Sequence, residues 1–401
     1  FSDDKKKAFG FKRLSIIDPN PDSDQPMFDE KKENLILFNG EIYNFLEIKE
    51  ELLNLGVKFR TKSDTEVILE GYKKFGIVDL HKRLRGMFSI LIFNLKKNTT
   101  YILRDLSGMK PLYFTQSNNE IIISSEIKSI IKLNEKISTA SKQFNHFLNT
   151  GGIMNKNTAT LFSNVYSVDQ GEIIEIFNEN QTLKMKQIKK FTYNNLVSKD
   201  EYNKIKNKSF SEQCRDLKKI LYDSVEEHLV SDVPLGIMFS SGIDSALIAK
   251  IACDISKKKL FLFKYDSKLK ESLNDNLIAE EFANNNNCEL VKTFLDENEI
   301  LIDIPKNIYF FESINKPDST VLSNCTKKAK ELGYKVLLSG DCADELFLGY
   351  QKHIEYYFKK KICSGKIFNT LKKMISVLIP NNNNLEVYQR RLLFWSYKSI
   401  Q

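Results

Sequence analysis

Short apolar runs separated by polar turns fill the first half of the chain. ENLILFNGEIY (33–43) predicts a strand that ends in a glycine turn, and MFSILIFNLKKNTTYILRD (87–105) predicts two strands joined by a polar turn. PLYFTQSNNEIIISSE (111–126) repeats the hairpin pattern. DTEVILEGYKKF (64–75) has helical spacing, with Asp64 placed to begin the helix. Antiparallel hairpins with a few helices predict an α+β layered sandwich.

The second half alternates strand-like runs with longer helical segments. Helix SEQCRDLKKILYDSVEEHL is followed by strand PLGIMF, helix SALIAKIACDI, strand LFLFKY, helix NLIAEEFANNN, a helix ending at ELG and strand YKVLLS. This order predicts an α/β doubly wound parallel sheet, in which ligands bind at the carboxyl ends of the strands where the strand order reverses. Residues 188–210 are polar and lysine-rich without a sustained period, so we interpret them as a linker between domains 1–187 and 211–401.

Composition narrows the class of protein. The net charge of the 401 residues is +8, but lysines alternate with acidic residues, as in EIKEELL, and no arginine-rich stripe with aromatic residues is present. We therefore expect no nucleic-acid partner. No run approaches the ~20 apolar residues of a membrane span, and no signal peptide is visible. The cysteines, none in a CxxC pair, predict reduced, buried thiols in a cytoplasmic protein. They are Cys214, Cys253, Cys288, Cys325, Cys342 and Cys363.

The stretch FSSGIDS (239–245) has the properties of a phosphate-binding loop. Ser240, Ser241 and Gly242 present N–H groups and hydroxyls beside the positive end of the following helix. Asp244 and Ser245 lie in its first turn, where they either cap the helix or face phosphates. The loop lacks the lysine of a GxxxxGK[ST] loop, so it fits a pyrophosphate leaving group better than γ-phosphoryl transfer. This predicts attack at the α-phosphate, with adenylation; an ordinary capped turn is the alternative.

A second Ser-Gly loop follows the strand YKVLLS. In SGDCADELFLGY (339–350) the carboxylates of Asp341, Asp344 and Glu345 occur together at the start of a helix. They either stabilise the helix dipole or bind Mg²⁺ or an amino group. Because the two loops end strands of one predicted sheet, they are expected to face one crevice, which favours the functional interpretation.

These motifs resemble those of glutamine-dependent asparagine synthetases. Residues 230–350 resemble the synthetase domain, whose loops read SGGxDS and SGxGxDELFxGY, and residues 10–130 resemble the class II glutamine amidotransferase domain. The matching stretches of the latter are RLSIID (13–18), NGEIYN (39–44), SDTEVIL (63–69), LRGMFS (84–89), RDLSGMKPLYF (104–114) and SSEIKSI (124–130). The resemblance implies an Ntn-hydrolase-like domain with its N-terminal part missing, followed by an ATP-binding domain of the PP-loop pyrophosphatase type that is incomplete at its C-terminus.

The resemblance also implies a glutamine site in the first domain. Arg13, with backbone help near Ile16, is expected to hold the glutamine carboxylate, since a guanidinium group binds a carboxylate bidentately. Glu41 and Asp64 are expected to accept hydrogen bonds from the glutamine ammonium group. A helix cap is the alternative role of Asp64.

Asn39 and the N–H of Gly40 are expected to form the oxyanion hole for thioester formation, with a simple turn as the alternative. The family's nucleophile is an N-terminal cysteine that precedes the first strands of the domain. Phe1 lies about a dozen residues before Arg13. We therefore expect this chain to be a fragment that lacks the nucleophile; a Met-Cys-Gly start upstream of Phe1 would restore it.

The resemblance implies ATP and Mg²⁺ as cofactors of the second domain. The implied ATP-binding residues are Phe239, Ser240, Ser241, Gly242, Asp244, Ser245, Tyr265, Ser339 and Gly340. Phe239 and Tyr265 correspond to positions that contact adenosine, and Asp341 corresponds to an acidic residue linked to the acyl-adenylate. Asp244 and Asp344 are the expected Mg²⁺ ligands.

The implied reaction converts aspartate, glutamine and ATP to asparagine, glutamate, AMP and pyrophosphate through β-aspartyl-AMP and ammonia, in an enzyme that is commonly a homodimer. Ser241, Cys342, Leu348 and Tyr265 depart from the residues usual in the family, which bears on substrate choice. Two alternatives stay open. One is a related amidotransferase that acts on another carboxylate, in a surface-sugar precursor or a β-lactam-type closure; the other is a catalytically degenerate binding or regulatory relative.

Overall fold

A computed structural model describes residues 6–117, 119–150, 159–193, 197–266, 273–294, 297–313, 318–351, 353 and 355–356. The elements of the first half are β1 (Met27–Phe28), β2 (Asn34–Ile42), α1 (Phe45–Asn54), α2 (Asp64–Phe75), α3 (Ile77–Arg83), β3 (Gly86–Asn94), β4 (Thr99–Arg104), β5 (Tyr113–Gln116), β6 (Ile121–Ser124), α4 (Ile127–Leu133), α5 (Ser141–Thr150), β7 (Tyr166–Ser167), β8 (Glu172–Glu179) and β9 (Thr182–Lys190). Those of the second half are α6 (Lys199–Lys206), α7 (Phe210–His228), β10 (Leu235–Met238), α8 (Ile243–Ile255), β11 (Phe261–Asp266), α9 (Leu273–Asn285), β12 (Glu289–Phe294), α10 (Glu297–Phe311), α11 (Asp318–Glu331), β13 (Val336–Leu338) and α12 (Ala343–Phe347).

Within the described ranges, an antiparallel sheet in the order β1-β2-β3-β4-β8-β9 forms the centre of the first half. Apolar side chains of β2, β3 and β4 form one cluster with those of α1 and α2, including Ile36, Ile90 and Leu103. The strands predicted in 33–43 and 87–105 and the helix predicted over 64–75 are confirmed. The cap of α2 is Ser63, whose side chain accepts the N–H of Thr65.

A smaller antiparallel sheet, β6-β5-β7, contains the hairpin predicted in 111–126. The segment 188–210, predicted as a linker, contains the end of β9 and the helix α6. Helix α6 begins at a capping box, in which the side chain of Ser198 accepts the N–H of Glu201 and the side chain of Glu201 accepts the N–H of Ser198. None of the residues of this short, mostly charged helix is buried, so the hydrophobic pattern did not reveal it. The domain boundaries at 187 and 211 and the layering of the sheets stay predictions.

The second half contains a parallel sheet whose described strands run in the order β12-β11-β10-β13. The chain first adds strands on one side of β10 and then returns to its other side, where Leu235 pairs with Val336 and Ile237 with Leu338. The strand order therefore reverses between β10 and β13. The predicted phosphate loop follows β10 and the second Ser-Gly loop follows β13, so both lie at the position where open parallel sheets bind ligands.

Residue contacts divide the chain into two compact units, 1–242 with 246–339 and 243–245 with 340–401. The helical tail predicted from about residue 355 lies almost entirely outside the described residues, as does Cys363. The prediction of buried thiols is wrong for Cys214 and Cys342, which are exposed. Among the described residues, no helix is both long and apolar enough to cross a membrane.

Candidate active sites

A cavity of about 500 Å³ in the first half is lined by all of the residues that the sequence assigned to glutamine. These residues are Arg13, Ile16, Asn39, Gly40, Glu41 and Asp64. Strand β2 contributes Asn39, Gly40 and Glu41, and Asp64 is the first residue of α2. The fold thus brings together three sequence stretches that the motifs identified separately. The cavity is large enough for an amino acid.

The carboxylates of Glu41 and Asp64 give one region of this cavity its charge. Both residues are buried, and Oε1 of Glu41 has no hydrogen-bond partner in the described part of the chain. Burial raises the pKa of Glu41 to about 7, with the Lys110 ammonium opposing the rise and Asp64 adding to it. Burial also raises the pKa of Asp64 to about 6, although its Oδ2 accepts the N–H of Ile42 at 3.2 Å. A cation placed here would supply the partner that Glu41 Oε1 lacks and would offset the burial of both carboxylates.

Asn39 and Gly40 are held where β2 and β3 approach most closely. A Cβ atom on Gly40, whose φ is +153°, would lie 2.0 Å from the carbonyl oxygen of Met87. Only glycine fits this contact. The Asn39 side chain donates from Nδ2 to Oγ of Ser125 at 3.2 Å, and since that nitrogen carries two hydrogens, the bond orients the amide while leaving its second N–H for another acceptor. Ser125 also lines the cavity, and the sequence motifs had given it no role.

Arg13 lines the cavity but also organises the segment around it. Its Nη2 donates to the carbonyl oxygens of Ile17 and Asp18, both at 2.8 Å, and its Nη1 donates to the carbonyl of Asn20 and to Asp24. These bonds explain why an arginine begins RLSIID, independently of any ligand. The carbonyl of Ile16 accepts the N–H of Asp232 from the second half of the chain at 3.2 Å.

The RDLSGMKPLYF motif is explained by two side chains that sequence reasoning did not assign. Asp105 accepts four backbone N–H groups, those of Phe88, Ser107, Met109 and Lys110, at 3.0 to 3.2 Å. Arg104 donates to carbonyl oxygens of the same loop, those of Gly108 and Lys110. This fixed loop places Lys110 in the wall of the cavity. The sequence signal was Asp105 directly before the turn LSGM, because an Asp side chain commonly accepts backbone N–H groups of the turn that follows it.

The phosphate loop FSSG turns at its second serine. Ser241, rather than Gly242, has the left-handed conformation, with φ of +68°. Its Oγ donates to the carbonyl oxygen of Asp275, in the first turn of α9, at 2.7 Å. Gly242 is the N-cap of α8 and has no side chain to close the first turn, which suits a ligand bound there.

The two residues assigned to adenosine differ in exposure. The ring of Phe239 is buried against that of Phe282, so only its backbone is available to a nucleotide. Tyr265 is half-buried near the end of β11.

The second loop packs closely against the start of α8. A Cβ atom on Gly340 would lie 2.8 Å from the backbone nitrogen of Ser245 and 3.0 Å from the carbonyl carbon of Asp244. The glycine therefore permits the approach of the two loops that the sequence predicted. Ser339 and Asp341 are exposed, and Cys342 has a left-handed φ of +73° where the family pattern has glycine.

The residues that the sequence assigned to magnesium are two carboxylates, Asp244 and Asp344. Among the described residues, no cluster of three or more His, Cys, Asp or Glu side chains is arranged to hold a metal. Asp244 and Asp344 are half-buried and lie in the first turns of α8 and α12. Mg²⁺ characteristically takes one or two carboxylates together with substrate phosphates, so this pair agrees with an ion held mainly by a nucleotide.

Comparison with known proteins matches both halves of the chain. A glutamine amidotransferase domain model matches residues 1–189, and an asparagine synthase model matches residues 216–390. Glutamine-hydrolysing asparagine synthetase 1 of Bacillus subtilis is 31% identical over 374 residues, which cover 93% of this chain. A Methanocaldococcus jannaschii protein assigned as a glutamine-hydrolysing asparagine synthetase is 31% identical over 87% of this chain.

The chain spans 56% of the length of the Bacillus relative and 68% of the Methanocaldococcus relative. A protein with a different name, an amidase of Gibberella zeae, is 25% identical over 87% of this chain, which spans 52% of that amidase.

Proposed function

The chain belongs to the family of glutamine-hydrolysing asparagine synthetases, which are carbon–nitrogen ligases, and we propose that the complete protein forms asparagine from aspartate, glutamine and ATP. The first half binds glutamine and releases its amide nitrogen as ammonia. The second half activates the β-carboxylate of aspartate as an AMP ester, which ammonia then converts to the amide.

The observation that carries the glutamine site is the pair of buried carboxylates in the cavity. Glu41 has an unpartnered Oε1 and a pKa raised by burial to about 7, and Asp64 lies in the same cavity wall. An α-ammonium group is the part of glutamine that satisfies both, because it is cationic and carries three donors. Arg13, in the wall of the same cavity, is the candidate partner of the α-carboxylate, through its Nε–H or by exchanging one of the Nη bonds that it makes to residues 17–24.

Asn39 and Gly40 are proposed to stabilise a developing oxyanion. Asn39 Nδ2 keeps one N–H after its bond to Ser125, and Gly40 is locked against β3. Donors fixed before the reaction stabilise the transition state without reorganisation, and removal of one such donor typically costs about 10²–10³ in rate.

In the second half, Ser240, Ser241 and Gly242 are proposed to hold the β- and γ-phosphates through hydroxyl and N–H groups, with the N-terminus of α8 beside them. The strand order reverses directly beneath this loop, which supports nucleotide binding here. Mg²⁺, with Asp244 and Asp344 as its protein ligands, would neutralise charge on the departing pyrophosphate. Asp341, in the second loop, is proposed to act at the acyl-adenylate.

Glutamine kinetics of a Glu41→Gln variant of the full-length protein test the glutamine site. We expect KM for glutamine to rise about thirtyfold, since a charge-assisted hydrogen bond from a buried group contributes about 2 kcal/mol. The matched control is Glu30→Gln, an exposed carboxylate in a turn outside the cavity, for which KM should not change. A Glu41→Gln variant with the wild-type KM would show that the ammonium group binds elsewhere.

An amidotransferase with another acceptor acid is the second candidate, since a relative at 25% identity carries a different name, that of an amidase. Ser241 and Cys342 depart from the family pattern in the two Ser-Gly loops, and such departures bear on substrate choice. Pyrophosphate release measured with a panel of acids separates the candidates. Release with aspartate supports the first, release only with another acid supports the second, and no release from folded protein supports the degenerate relative.

A further inference from the structure

We propose that Glu312 is a positioning residue through which the synthetase half of the chain holds the oxyanion-hole asparagine of the glutamine cavity. The inference rests on the proposed glutaminase function. No motif identified Glu312, which lies directly after α10 and far along the chain from the residues that line the cavity.

The carboxylate of Glu312 binds the start of α4 with both oxygens. Oε2 accepts the N–H of Ile127 at 2.6 Å, and Oε1 accepts the N–H of Lys128 at 2.7 Å. The Lys128 ammonium lies 3.4 Å from the same carboxylate, which is 9% exposed. Short bonds from two N–H groups to a buried carboxylate are among the strongest hydrogen bonds in proteins.

Helix α4 depends on this contact because it lacks a cap of its own. Its N-cap residue, Glu126, makes no side-chain capping bond. Glu312 supplies the missing acceptors from 185 residues away along the chain. Glu312 also has a left-handed φ of +54°, an unfavourable conformation for a residue with a side chain, which the surrounding contacts must maintain.

The capped turn leads directly to the cavity. Ser124, Ser125 and Glu126, which join β6 to α4, all line it. Ser125 lies two residues before Ile127 and accepts the bond from Asn39 Nδ2 at 3.2 Å. Glu312 therefore fixes the turn, the turn fixes Ser125, and Ser125 orients the amide proposed to stabilise the oxyanion. Each step is a direct contact or a short covalent connection.

The test is steady-state glutamine hydrolysis by Glu312→Gln, Glu312→Ala and Glu312→Asp variants of the full-length protein. Glutamine at position 312 keeps the size of the side chain, but its NH₂ group would face one of the two N–H donors. We expect kcat to fall about tenfold for Gln and Ala with KM for glutamine nearly unchanged, because an oxyanion donor acts in the transition state. Asp, which keeps the charge, should recover part of the loss.

Two controls separate positioning from general damage. Synthesis with ammonia as nitrogen donor should keep its wild-type rate in every variant. Glu227→Gln removes another carboxylate by which the second half contacts the first, at 2.7 Å from Arg85, and neither residue lines the cavity, so hydrolysis should not change.

Three results would overturn the inference: an unchanged kcat in the Gln variant, an equal loss of ammonia-dependent synthesis, or an effect confined to KM. Should the Ala variant not fold, the Gln variant decides, since it conserves volume. Absence of hydrolysis in the wild type would instead contradict the proposed glutaminase function itself, together with the inference built on it.

Discussion

Glu41 shows how one side chain connects the stability of the protein to its ligand. Its carboxylate is buried without a full set of partners, so the free protein maintains it at a cost in free energy. Bound glutamine would repay that cost through its ammonium group. A binding site of this kind lowers the stability of the free protein, because some of its buried polar groups find their partners only in the bound ligand.

The pH dependence of unfolding tests this interpretation of Glu41. Its pKa is about 7 in the folded protein against an ordinary 4.5, so the unfolded chain loses the proton first as the pH rises. Its contribution to stability is therefore complete below about 4.5 and is lost as the pH rises to about 7. At about pH 8, Glu41→Gln should raise the free energy of unfolding by about 3 kcal/mol, and at about pH 4 by little. Urea unfolding measures both, and an equal effect at the two pH values would contradict the burial of a charged group.

Among the elements, the loop between β10 and α8 shows how this chain departs from the family pattern. The family has glycine where this chain has Ser241, and the structure places Ser241 in the left-handed region that favours glycine. The serine hydroxyl partly offsets that strain through its bond to Asp275 in α9. The loop is thus held from the side by a hydrogen bond that a glycine would not form.

Paired substitutions at Ser241 separate strain from hydrogen bonding. Ser241→Ala keeps the unfavourable φ and loses the bond, so KM for ATP should rise about fivefold, as expected for about 1 kcal/mol. Ser241→Gly loses the bond but relieves the strain, and should stay closer to the wild type. Pyrophosphate exchange measures both values of KM. A wild-type KM for ATP in Ser241→Ala together with a raised KM in Ser241→Gly would show that the bond to Asp275 does not position the loop.

Sequence patterns predicted the regular elements well where one face is buried. The hairpins of 87–105 and 111–126, the helix of 64–75 and the parallel strands all follow from apolar periodicity, and the motifs identified six residues that line one cavity. Helix α6 was missed because it buries no face. Lys110, Ser125 and Glu312 were missed because their roles depend on contacts between distant parts of the chain. No local pattern records such contacts.

At the level of the whole molecule, the proposal divides two chemical steps between the halves of the chain. Asp244→Asn should abolish pyrophosphate formation, because it removes a proposed Mg²⁺ ligand and a charge at the phosphate loop. Glutamine hydrolysis by the same full-length variant should continue. Parallel assays of pyrophosphate and glutamate measure the separation. If the Asp244→Asn variant still made asparagine, the phosphate loop would not have the proposed role in binding ATP and Mg²⁺.

Transfer of labelled nitrogen tests the proposed reaction most directly. The full-length protein is incubated with aspartate, ATP, Mg²⁺ and glutamine that carries ¹⁵N in its side-chain amide, and the products are identified by mass spectrometry. The proposed reaction predicts ¹⁵N-labelled asparagine, with glutamate, AMP and pyrophosphate formed in equal amounts. Labelled ammonia without labelled asparagine, or pyrophosphate release that requires an acid other than aspartate, would contradict it.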